Sequence, residues 1–231
     1  MLSPRVVSRF SLTLVALAGL ATAAQGGFVP ISQPNASYLA ATNKFAVPNS
    51  GPALSSLTER DLTITFSARM SPLQAGPPHF FWGNPPTVED STPAVLYSQN
   101  QSSRVLTFSQ PLQTFGAEML PNLTVFFPAN MTAQFFDGNT LVGTVHQNVS
   151  QHGPARLFAA TDTDKPFTSV KLSSVGVIFP TFGFFIGDVR AEIATPEPAS
   201  LGLFGMGLLG VIGSAWRRSR KQDCDRAESD E

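Results

Sequence analysis

Between Leu62 and Ile193 the chain shows short β-rich runs, some with apolar residues at every second position, with Gly, Pro, Asn and Ser frequent between them. Leu62-Thr63-Ile64-Thr65-Phe66 is the clearest case. A repeat of two places all apolar side chains on one face only if the backbone is extended, so each run reads as a half-buried strand. Val105–Phe108, Leu123–Phe127, Met131–Phe136, Leu141–Val145, Leu157-Phe158, Phe167–Leu172 and Gly183–Ile193 read the same way. Asp137-Gly138-Asn139 joins two of them in a hairpin, because Gly and Asn tolerate positive φ. Ser71–Ser91, with its paired prolines, reads as a long loop, and no stretch carries a convincing helical period. The expected fold is all-β: an antiparallel β-sandwich over residues 53–194, jelly-roll-like, with its first and last strands as neighbours. Residues 24–52 are expected to form an irregular lead-in that lays one edge strand on the body.

Composition limits how such a body is held together. Charged residues make up 13% of the 231, against roughly a quarter in ordinary globular chains, while Phe alone occurs 19 times. The single cysteine, Cys224, lies near the C-terminus, so no disulfide staples the strands and a hydrophobic core must do so. A formal net charge of −1 offers no electrostatic footprint for nucleic acid.

Both ends read as targeting segments. Arg5 and Arg9 precede the apolar run Ser11–Leu20, and Ala21-Thr22-Ala23 supplies small residues where a signal peptidase reads. That is the pattern of a secretory signal peptide over 1–23, cut after Ala23. At the other end stand Pro196-Glu197-Pro198, then the uncharged stretch Ala199–Trp216, then Arg217, Arg218, Arg220 and Lys221. Residues 199–216 as a helix span about 27 Å, enough for a thin hydrocarbon core. The cations that follow hold their end in the cytoplasm by the positive-inside rule. The prolines keep Thr195 and Glu197 extended, so the peptide before the span is stiff and open to a protease. Five glycines, Gly202, Gly205, Gly207, Gly210 and Gly213, weaken the span as a helix.

Pro196-Glu197-Pro198, the Gly/Leu-rich span and the terminal basic cluster together resemble the PEP-CTERM sorting signal of bacterial exported proteins. The resemblance covers residues 196–221; the tail 222–231 runs past the point where such signals usually stop. It implies recognition by an exosortase-like membrane transpeptidase, processing near Pro196-Glu197-Pro198, and delivery to the cell surface or extracellular matrix. The body is similar, more weakly, to the ectodomain common in proteins with that signal, through Phe115-Gly116-Ala117-Glu118, Leu157-Phe158-Ala159-Ala160 and Pro166-Phe167-Thr168-Ser169-Val170. That likeness implies a jelly-roll, lectin-like module.

Candidate chemistry is sparse. His79, His146 and His152 lack acidic or cysteine partners at ligand spacing, and Asp162 with Asp164 supplies too few oxygens for Ca²⁺. Glu89 and Asp90 are adjacent and point apart in an extended chain, and no Gly-x-Ser-x-Gly elbow occurs. No catalytic residue, metal or cofactor is expected. Five Asn-x-Ser/Thr sequons, at Asn35, Asn100, Asn122, Asn130 and Asn148, are what a composition this rich in Asn, Ser and Thr produces by chance. Phe80, Phe81, Trp82 and Asn84 form a candidate ligand platform, since exposed aromatics stack on sugar rings; the competing reading is that they fold back as a plug. The leading expectation is a non-enzymatic exported protein that is membrane-anchored until processing and then associates with extracellular polysaccharide. Two alternatives stand beside it: a permanently anchored ectodomain that binds a carbohydrate or protein, and an exported hydrolase.

Overall fold

A computed structural model describes residues 27–76, 80–122, 128–150, 152–176 and 182–194. The signal peptide, the strand expected at 123–127, His79 and everything from Thr195 onward lie outside those residues. The elements in chain order are β1 (Val29–Ile31), α1 (Ala36–Ala41), β2 (Asn43–Lys44), β3 (Leu54–Glu59), β4 (Leu62–Gln74), β5 (Ala94–Tyr97), β6 (Ser103–Pro121), β7 (Ala129–Asp137), β8 (Thr140–Val149), β9 (Arg156–Thr161), β10 (Phe167–Gly176) and β11 (Phe184–Ile193). Every pairing between these strands is antiparallel, and the architecture is the expected all-β one.

Two long strands make the sandwich by crossing it. The first half of β6 pairs with β4 and β10, its second half with β9 and β11. The change of partners falls at Ser109-Gln110-Pro111, where proline breaks the ladder. β4 does the same: Leu62–Phe66 pairs in the first layer, and Ser71–Gln74 pairs with β5 in the second. One layer therefore runs β3-β4-β6-β10-β7-β8, and the other holds β1, β9, β6, β11, β5 and the end of β4, with β2 on the edge of β11. The first and last strands are not neighbours, because β1 pairs with β9.

Between the layers lies a phenylalanine-rich core. Phe135 is ringed by Phe28, Phe115 and Phe167 at centroid separations of 5.3, 6.4 and 4.8 Å, and Phe108 meets Phe115 at 5.0 Å. Each ring buries a large apolar area and prefers such tilted contacts, which is how a chain without a disulfide is held. The hairpin expected at Asp137 is present, with Gly138 at φ 55.

Several elements depart from the sequence reading: β6 runs through Pro111 to Pro121 where only Val105–Phe108 was expected, and the lead-in lays down two short strands, β1 and β2, in place of one. β3 and β5 are additional strands, and β4 continues through Pro72 into the stretch read as loop. Pro72 is accommodated because residues 71–74 pair on one side only, with β5. The lead-in holds a six-residue helix, α1, whose N-cap Asn35 accepts a hydrogen bond from the Tyr38 N–H at 2.9 Å.

That helix and residues 80–93 of the loop that follows β4 cover the outer face of the second layer. Tyr38 packs on Leu157 and Ala159, over Gly116 of β6. A Cβ at Gly116 would meet the Tyr38 hydroxyl and come within 2.5 Å of the Ala159 Cβ. Gly116→Ala is therefore expected to lower the unfolding free energy by about 1–3 kcal/mol, read from urea denaturation; an unchanged midpoint would mean that α1 does not seat there.

Candidate functional site

The covered face of the second layer hides the most unusual chemistry in the molecule. β11 bulges between Gly187 and Arg190: these residues pair with Glu118 and Gly116, so two residues, Asp188 and Val189, stand opposite one. Val189 goes to the core, while Asp188 adopts a φ of 46 and is 3% exposed. Aspartate tolerates the left-handed region better than most residues.

Around this bulge the covering segments are tied down by charge. Lys44 Nζ of β2 lies 2.5 Å from Asp188 Oδ1 and 3.1 Å from Glu89 Oε1. Arg190 donates from Nε and Nη2 to the two Glu89 oxygens at 2.7 and 3.0 Å, a bidentate pair. Its Nη1 donates to the carbonyls of Leu39 and Thr42 at 3.2 and 2.8 Å, closing the C-terminal end of α1. Glu118, 1% exposed, accepts from Trp82 Nε1 at 2.7 Å and from the Glu89 N–H at 2.5 Å.

Three carboxyls thus face two cations, and the balance is restored by a proton. Burial first, then the charge of Asp188, pushes the Glu118 carboxyl up to about 8, and its donors pull it back only in part. Burial also raises Asp188, against the opposing pull of Lys44. Glu89 ends up low despite its burial, because Arg190 and Lys44 outweigh it. Among the described residues no hydrogen-bond donor is placed on Asp188 Oδ2, and Asp188 acts directly on the Glu118 carboxyl, so a proton held by Glu118 serves both groups. Asp188 also borders a cavity of about 490 Å³ between β2 and the start of β5, lined in part by Asn49, Gln74, Asp90 and Thr92. Glu118 is sealed from solvent beneath Trp82, so this acid–carboxylate pair works as a fastener.

The aromatics singled out from the sequence separate. Trp82 is fully buried: its ring covers Gly187, where a Cβ would lie 2.8 Å away, and its N–H is spent on Glu118. It is the plug, not the platform. Phe81, 51% exposed, and Asn84 face solvent, while Phe80 stacks on Phe185 at 4.4 Å. Phe80, Phe185, Tyr97, Leu73 and Asn122 line an open cleft of about 320 Å³. Tyr97 sits 5.1 Å from Phe185, and its hydroxyl donates to the Phe182 carbonyl at 2.7 Å. Sequence reasoning missed Tyr97 and Phe185 because they belong to strands whose pairing alone brings them to Phe80. Asp162 caps its own turn, with Oδ1 accepting from the N–H groups of Asp164 and Lys165 at 2.8 and 2.9 Å. His146 is exposed on β8, and His152 is exposed in the loop that follows it.

At the end of β11 the chain leaves the sandwich without slack. Glu192 accepts from Thr114 Oγ1 at 2.7 Å, and the Ala194 N–H donates to the Pro111 carbonyl at 3.0 Å. The family model described as "PEP-CTERM protein-sorting motif" matches residues 194–221, beginning at that pinned alanine. The chain carries a PEP-CTERM sorting signal. Pro196, Glu197 and Pro198 and the cations Arg217, Arg218, Arg220 and Lys221 all fall within the match. No curated protein matches the chain. Among solved structures it is similar to the enzymatically active domain of bacteriophage CBA120 tailspike protein 4, at 12% identity and a TM-score of 0.29, covering 58% of this chain and 19% of that one. It is also similar to the CBM22-1 xylan-binding domain of Paenibacillus barcinonensis Xyn10C, at 8% identity and a TM-score of 0.29, covering 68% of this chain and 98% of that one. The chain thus spans about a fifth of the tailspike chain. No helix among the described residues is long and apolar enough to cross a membrane, and the 199–216 span lies outside them.

The buried pair sets a pH dependence. Glu118 holds its proton in the folded state up to about 8 but releases it near 4.5 when unfolded, so between these values the folded chain binds more protons. Stability therefore falls as pH rises from about 4.5 and levels off above about 8. Glu118→Gln, which is neutral at every pH and keeps an acceptor for Trp82 but sets its amide nitrogen against the Glu89 N–H, is expected to flatten that slope while melting below the wild type at pH 5. Thermal unfolding from pH 5 to 9 checks this; parallel curves for the two proteins would contradict it.

Proposed function

We propose that this is a non-enzymatic exported protein whose C-terminal signal hands it to an exosortase-like enzyme, which cuts near Pro196-Glu197-Pro198 and releases the β-sandwich to the cell surface or matrix. A signal peptidase acting after Ala23 frees the other end, and the 199–216 helix tethers the chain to the membrane in between. The observation that carries this reading is the match to the sorting motif at 194–221. Its position supports the reading too, since the motif starts at the residue that follows β11. Intact-mass measurement of the protein from its host envelope is expected to show loss of everything beyond about Pro198, and Pro196→Ala with Pro198→Ala should keep the tail. A wild-type chain that retains Cys224 throughout growth would leave a permanent anchor as the better account.

For the ectodomain we propose association with extracellular polysaccharide through the cleft of Phe80, Tyr97 and Phe185. Three aromatic rings around an open hollow of about 320 Å³ suit the apolar face of a sugar, with Asn122 at the side for a directional bond. Tyr97→Ala is expected to abolish glycan-array signals while Phe81→Ala leaves them; equal signals from Tyr97→Ala and wild type would remove the cleft from consideration.

A further inference from the structure

A second hollow lies at the opposite end of β11, where the sorting signal begins. It has a volume of about 600 Å³, and its wall includes Pro111, Gln113, Asp164, Pro166, Ile193 and Ala194. Ile193 is 36% exposed, an apolar side chain left open at the last position of the last strand. Asp164 is exposed on the rim. The hollow therefore offers an apolar floor with an acidic edge, and the chain that carries the signal forms part of its wall.

Chain length then decides what must touch it. Ala194 is pinned by its hydrogen bond to Pro111, and Glu192 is held by Thr114, so the backbone is fixed up to the first residue of the motif. Pro198 is four residues further on, and a fully extended chain covers at most about 14 Å in that distance. A folded domain of only 100 residues has a radius of gyration of about 13 Å, and its outer radius is larger still. An enzyme that closes around Pro196-Glu197-Pro198 must therefore lie against this end of the sandwich. A long linker would avoid such contact, but Thr195 alone separates Ala194 from Pro196.

We propose that the hollow beside Ile193 is a docking surface for the sorting enzyme, which reads the folded end of the domain together with the Pro-Glu-Pro peptide. The inference rests on the sorting reading above. The matching surface on the enzyme is an apolar projection flanked by a cation, to meet Ile193 and Asp164. Self-occupation by the peptide is disfavoured, because Glu197 would be brought towards Asp162 and Asp164. The contact adds selectivity beyond that of the Pro-Glu-Pro peptide, since two sites joined by a short tether bind as one.

The test follows tail removal over time in cells that hold the full chain and a sorting enzyme of this class. Ile193→Arg and Asp164→Lys are each expected to slow processing by about tenfold, the loss of one anchoring contact, and a Gly-Ser-Gly-Ser insertion between Ala194 and Thr195 should slow it several-fold by separating surface from peptide. Asp164 is in an exposed turn, so its variant tests the surface even if Ile193→Arg lowers stability; unfolding curves of both separate the effects. Unchanged rates in the Asp164 and insertion variants would overturn the proposal, and so would faster processing after insertion, which would make the domain an obstacle. If the wild type is never trimmed, the sorting reading itself fails and takes the docking surface with it.

Discussion

The cluster of Glu89, Glu118, Asp188, Lys44 and Arg190 is where the separate parts of this molecule are joined. β6 and β11 contribute Glu118, Asp188 and Arg190, β2 contributes Lys44, and the long loop contributes Glu89 and Trp82. Without it, α1 and the loop would rest on the outer face of the second layer through a small apolar cluster centred on Tyr38 and the ring of Trp82. Charges buried this deeply are costly unless each finds a partner. Here the bidentate Arg190–Glu89 pair, the Lys44 bridge and a proton on Glu118 provide them. The network specifies one seating for the cover: any shift of Trp82 would cost the Glu118 carboxyl one of its two donors.

The bulge in β11 makes that arrangement possible. A regular strand would alternate and offer one carboxylate position to each face. The extra residue at Asp188 turns its side chain beside Glu118 while Val189 fills the core, so a single strand serves both layers. Past the bulge, β11 exchanges β5 for β2 as its edge partner, and the cavity beside Asp188 occupies the gap between them.

β11 also gives the domain a direction. Phe185 in the aromatic cleft and Ile193 at the exit are eight residues apart, about 26 Å along a strand. The end that carries the sorting signal is tied to the bend of β6 at Pro111, and the cleft opens at the other end. The aromatic hollow thus lies at the end of β11 opposite to the one from which the sorting signal departs.

What the amino-acid order decided by itself was local. Alternation in Leu62–Phe66 and Met131–Phe136 specifies strands because side chains in an extended backbone switch faces at every residue. Asp137-Gly138 specifies a turn through its tolerance of positive φ, and the Pro196-Glu197-Pro198 signal with its basic cluster is legible in the order of residues alone. β5, the continuation of β4 through Pro72, and α1 were not legible, because each is stabilised by a partner distant in sequence. Only the tertiary structure could decide that Trp82 is a plug. Its fate depends on Glu118 and Gly187, 36 and 105 positions away, and a burial that requires both a donor's acceptor and a missing side chain beneath the ring leaves no mark on the residues next to it.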